Sequence, residues 1–104
     1  MPSEAEVYEL LQLHFEVTIS GTCVYRNHAG QLHRVHGPAI EWNCGTKEWW
    51  QNDQRHREDG PAVEYKGGHR EWWLNGNSYL ESDYYAQLAA RSTTCLQMQN
   101  YTTH

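Results

Sequence analysis

The sequence predicts a mainly β, α+β fold: an antiparallel meander of repeated 23-residue β-hairpins held between N- and C-terminal capping helices. Three observations predict it. The phrase HRVHGPAIEW, His33 to Trp42, is written again as HREDGPAVEY, His56 to Tyr65. The offset, 56 − 33 = 23 residues, continues past the phrase: Gly45 matches Gly68, and Glu48-Trp49-Trp50 matches Glu71-Trp72-Trp73. Identity this dense at a fixed period marks repeated supersecondary units. The flanks, in contrast, carry helical spacing.

The chain has 104 residues and reads as a single domain, 1–104. Only 38% of it is apolar, but it holds five Trp, seven Tyr and one Phe. These rings carry most of the burial, at roughly 150–250 Å² each. The first element is a helix over 3–15, where Ser3 and Glu6 form a capping box ahead of Val7, Leu10, Leu11, His14 and Phe15. Hairpin repeats follow over about 21–79. A degenerate copy, CVYRNHAGQLHR, opens them, with Tyr25 in the place of a Trp. A second helix covers 82–91, with Ser82 as N-cap and Asp83 in the first turn, and 92–104 is an irregular tail.

Within a repeat, GPAIEW and KEWWQN read as strands around a three-residue loop, Asn43-Cys44-Gly45. A Gly at the third loop position suits a type I turn closed by a left-handed residue. This register sets Glu41 opposite Lys47 and Glu64 opposite Arg70. A four-residue loop would set Glu41 against Glu48, and like charges directly opposed are unfavourable. Strand alternation then sorts the faces. One holds Ile40, Trp42, Trp50, Val63, Tyr65 and Trp73 and is the expected core, with Trp50 and Trp73 more buried than Trp49 and Trp72. The other holds Glu41, Lys47, Trp49, Glu64, Arg70 and Trp72, a charged face with two large rings, and is the expected protein-binding surface. The connector HRxxGPA reads as structural. Pro, lacking a donor, starts a strand, Gly eases the pre-proline restriction, and His and Arg lie flat on neighbouring rings.

A hairpin unit of the form W-x-N-x-x-x-H…G-x-A-x-E-x-x-x-G resembles the MORN repeat in its divergent HRxDGPA form, over about Gly21 to Asn77. It departs from that pattern at Asp53, where a turn Gly is expected, and at Arg57, where Gly commonly follows the His. The resemblance implies a meander of hairpins, a kinship with small phage-borne and bacterial proteins including an antitoxin-like family, and no catalytic residues.

The remaining chemistry points to binding. No P-loop, nucleophile elbow or HExxH occurs, so no catalytic residue is assigned and no enzyme is expected. His33-x2-His36 is the nearest approach to a zinc spacing, and Cys23, Cys44 and Cys95 contain no CxxC, so neither metal nor cofactor is expected. With no basic leader and no apolar span, the thiols read as reduced and the protein as cytoplasmic, in the host cytoplasm if phage-encoded. A net charge of −5 disfavours nucleic acid and anionic membranes. Aromatic and Arg residues are enriched at interface hot spots. The expected function is therefore a small protein–protein interaction module whose partner offers a basic groove. With the resemblance, this becomes an inhibitor of a larger complex such as a host defence nuclease, of anti-CRISPR or antitoxin type. The alternative is a module that stacks single-stranded nucleic acid on Trp, Arg and His.

Overall fold

The computed structural model describes the backbone of residues 3–102 and the side chains of residues 3–91. The chain is mainly antiparallel β-sheet with two helices. Among the described residues helix α1 (Glu4–Gln12) is followed by nine strands: β1 (His14–Val17), β2 (Cys23–Arg26), β3 (Ile40–Glu41), β4 (Lys47–Glu48), β5 (Trp50–Gln51), β6 (Gln54–Arg55), β7 (Val63–Glu64), β8 (Arg70–Leu74) and β9 (Asn77–Tyr79). Helix α2 (Glu81–Thr102) ends the described chain. Seven strands form one sheet in the order β1-β2-β3-β4-β7-β8-β9, and β5-β6 form a separate ribbon. Among the described residues no helix is long and apolar enough to cross a membrane.

The two expected registers are present: Glu41 pairs with Lys47 and Glu64 with Arg70. Gly45 (φ 105°) and Gly68 (φ 99°) occupy the left-handed position that closes each three-residue loop. Two N–H groups close the first turn, Trp42 to the Thr46 carbonyl and Gly45 to the Trp42 carbonyl, both at 2.9 Å. Tyr65 and Gly68 close the second in the same way, again at 2.9 Å. The same pair of bonds closes the loops ending at Gly21 and Gly30. The tighter turns at Asn52-Asp53 and Asn75-Gly76 hold both central residues at positive φ. Asp53 (φ 65°) stands where a glycine was expected. Asp tolerates this region, and its Oδ1 accepts the Leu32 N–H at 2.7 Å.

Both helix boundaries differ from the sequence expectation. Ser3 does cap α1, its Oγ accepting the Glu6 N–H at 3.2 Å. The helix stops at Gln12, however, because His14 to Val17 pair with β2 instead. Phe15, expected on the helix, stands on β1 with its ring centroid 4.8 Å from that of Tyr25. Helix α2 begins at Glu81, so Ser82 lies inside its first turn. The segment expected as an irregular tail, 92–104, is helical to Thr102. It lacks apolar periodicity, but residues 81–102 contain neither Gly nor Pro. With no breaker in its path the helix simply continues.

The face assignment also needs correction. Trp49 is buried whereas Trp50 is only half-buried, the reverse of the expected order. Trp72 and Trp73 are both half-buried. Trp42 and Tyr65, expected in the core, are 44% and 38% exposed. One departure from regular alternation is a β-bulge. The Ala39 N–H donates to the Glu48 carbonyl at 2.8 Å, although Ile40 is already the ladder partner of Glu48. Two residues thus oppose one, which breaks the alternation and bends the strand. Ala62 does the same against Glu71, the partner of Val63. Ala39 and Ile40 are therefore both buried, as are Ala62 and Val63. With Trp49, Val24, Leu74 and Tyr84 they make up the apolar core.

Candidate protein-binding face

The connector phrase does three jobs. His33 Nδ1 accepts the Asn52 N–H at 3.1 Å, and His56 Nδ1 accepts the Asn75 N–H at 2.9 Å. Each His thereby ties one connector to the tight turn that follows. Because Nδ1 accepts, the ring hydrogen of His56 sits on Nε2, which donates to Glu58 Oε2 at 2.7 Å. Arg34 lies 4.2 Å from the Tyr25 ring centroid and Arg57 3.9 Å from that of Trp49. Each Arg also donates to a proline carbonyl, Pro38 at 3.3 Å and Pro61 at 3.0 Å. A Cβ at Gly37 would come within 2.7 Å of the Arg34 guanidinium carbon, and one at Gly60 within 3.0 Å of that of Arg57, so a side chain at either position would push the Arg from its place.

A second constellation lies across the strands. Glu48 is a buried carboxylate on an otherwise apolar strip. Its Oε2 accepts from Trp42 Nε1 at 2.6 Å and its Oε1 from Trp50 Nε1 at 3.0 Å. Glu71 repeats the arrangement, accepting from the Tyr65 hydroxyl at 3.0 Å and from Trp73 Nε1 at 2.9 Å. Arg55 bridges the two sets. Its guanidinium lies 5.3 Å from the Trp50 ring and 5.1 Å from the Trp73 ring, 3.3 Å from Glu48 and 3.8 Å from Glu71. An indole or phenol near the interior needs a hydrogen-bond partner, and one carboxylate serves two rings at once. Donation to Glu71 holds the Tyr65 phenol above its ordinary pKa.

The residues expected at the binding surface divide. Glu41, Lys47, Glu64 and Arg70 do stand in one cross-strand row of alternating charge, through the pairs Glu41–Lys47, Lys47–Glu64 and Glu64–Arg70. Glu64 is also held by Arg57 at 3.1 Å. Trp49 is not presented to a partner: it is 8% exposed and covered by Arg57. Trp72 is half-buried and pairs with Tyr79 on the neighbouring strand. Sequence reasoning placed Trp42 and Tyr65 in the core with Glu48 and Glu71 near the rim of the same face, and it gave Arg55 no role. The available signal was an acid repeated on an apolar face, since a buried polar residue is the informative exception.

Among the described residues no group of three or more His, Cys, Asp or Glu side chains is placed to hold a metal ion. Cys23 and Cys44 are free, and the side chain of Cys95 lies outside the described residues. A hydrogen bond with the Thr46 side chain lowers the pKa of the exposed Cys44 thiol. Thiolate is the reactive form, so iodoacetamide near neutral pH is expected to label Cys44 ahead of Cys23, read by peptide mass spectrometry. No known protein family, curated protein or solved structure matches the chain.

Proposed function

We propose that this chain is a protein-binding module, that its hairpins form a MORN-like array with α1 and α2 as caps, and that the strip bearing Trp42 and Tyr65 makes the contact. One observation carries this reading. Trp42 and Tyr65 are large and exposed, yet their polar tips are anchored to Glu48 and Glu71. An aromatic side chain ordered before binding loses little conformational entropy on docking. The net charge of −5 repels a phosphate backbone, which favours a polypeptide over nucleic acid. The role that best fits a small chain of charge −5 is inhibition of a larger, basic, nucleic-acid-handling complex, of anti-CRISPR or antitoxin type. The cytoplasm is the compartment this role requires.

Trp42→Ala is expected to lower the melting temperature, because Glu48 loses a donor, but to leave the domain folded, because the ring is almost half exposed and Trp50 and Arg55 still hold Glu48. It should weaken the partner complex by about 2 kcal/mol or more, as for other interface anchors. Affinity capture with the parent chain and with the Trp42→Ala, Tyr65→Ala pair tests the proposal. A protein retained by the parent and lost by the pair supports it. Recovery of nucleic acid alone, with the same yield from both, overturns it.

A further inference from the structure

Arg55 lies between the two constellations, and the second has no counterpart of it one period further on. Arg55 is the cross-strand partner of Trp50, and its guanidinium rests on that ring and beside Glu48. One period later, at 55 + 23 = 78, the cross-strand partner of Trp73 is Ser78. Ser78 is exposed and too short to cover an indole. Trp73 and Glu71 meet Arg55 on one side, at 5.1 and 3.8 Å, and position 78 supplies no second guanidinium to them. They line a surface recess of about 440 Å³ together with Ser78 and the exposed Glu81 of α2. Glu81 adds a second carboxylate there, as Glu71 does for Arg55. Arg70 is the recess's one cation among the lining residues, and its register partner is Glu64.

We infer that this recess is a receptor for the guanidinium group of an arginine on the partner protein, stacked on Trp73 and paired with Glu71 and Glu81. The inference rests on the protein-binding reading and names the chemistry the partner must offer. A planar guanidinium suits the site better than an ammonium because it can stack on the indole while its edge donates to carboxylates.

The test is titration of the intact chain, followed by the indole and amide signals of an NMR spectrum, with Nα-acetyl-arginine-N-methylamide. The citrulline analogue, equal in shape but uncharged, is the control. Weak, saturable shifts are expected at the Trp73 indole N–H and the Ser78 amide for arginine, and at least tenfold weaker binding for citrulline. Ser78→Arg supplies the missing side chain in cis. It is expected to raise the melting temperature and abolish the arginine response while the spectrum stays folded. An equal response to citrulline, shifts that bypass Trp73, or an undiminished response in Ser78→Arg each overturn the inference. Failure here leaves the Trp42 and Tyr65 capture experiment standing, so the two proposals fail separately.

Discussion

Trp49→Ala should unfold the domain, or nearly so. The ring is 8% exposed, and removing a buried Trp costs about 3–5 kcal/mol through lost transfer energy and an unfilled cavity. Small domains hold roughly 5–15 kcal/mol in all. The substitution also strips Arg57 of the ring it stacks on, leaving a charge that was positioned by that contact. Chemical denaturation read by tyrosine fluorescence and far-UV circular dichroism measures this directly. A Trp49→Ala chain that melts like the parent would show that the connector, not the ring, carries the packing.

Tyr84→Ala is the second large effect. Tyr84 is fully buried, and it joins α2 to the connector: its hydroxyl donates to the Arg57 carbonyl and accepts the Gly60 N–H at 3.3 Å. Losing the whole side chain should cost about 3–5 kcal/mol. Tyr84→Phe separates the hydroxyl from the ring. It leaves two backbone groups without their partner and should cost about 1–3 kcal/mol. Burial holds the phenol above its ordinary pKa. The neutral phenol's contribution is thus complete below the pKa of an unfolded tyrosine, about 10. It declines as pH rises toward the higher folded value and is gone above it. Thermal melts of parent and Tyr84→Phe across that alkaline range should therefore converge.

The strand registers were legible because charge decided them: only a three-residue loop avoids setting Glu41 against Glu48. That Ala39 and Ile40 are buried together, and Ala62 and Val63 likewise, was not legible, because regular alternation sends such neighbours to opposite faces. A bulge leaves no mark in a hydropathy pattern. Its trace is the small side chain in both copies, which reads equally well as room for an opposing Trp. The α1 boundary failed for a different reason. Leu10, Leu11, His14 and Phe15 satisfy helical spacing, and only pairing with distant β2 draws the last two into a strand. Trp42 and Tyr65 read as core because their strand face is otherwise apolar, and only the structure shows them exposed and anchored to Glu48 and Glu71.

The two histidine joints bear on how such a chain can change in length. His33 reaches the turn at Asn52, and His56 reaches the turn at Asn75, over 19 residues in each case. Every bond of this kind has its donor and acceptor at the same spacing, so neither end of a unit is specific to its own neighbour. Duplication of one 23-residue segment would present matching partners at both seams, and unequal recombination within the gene would insert or delete whole units without a frayed junction. Such a chain can lengthen or shorten by whole units while the sequence of each unit stays as it is.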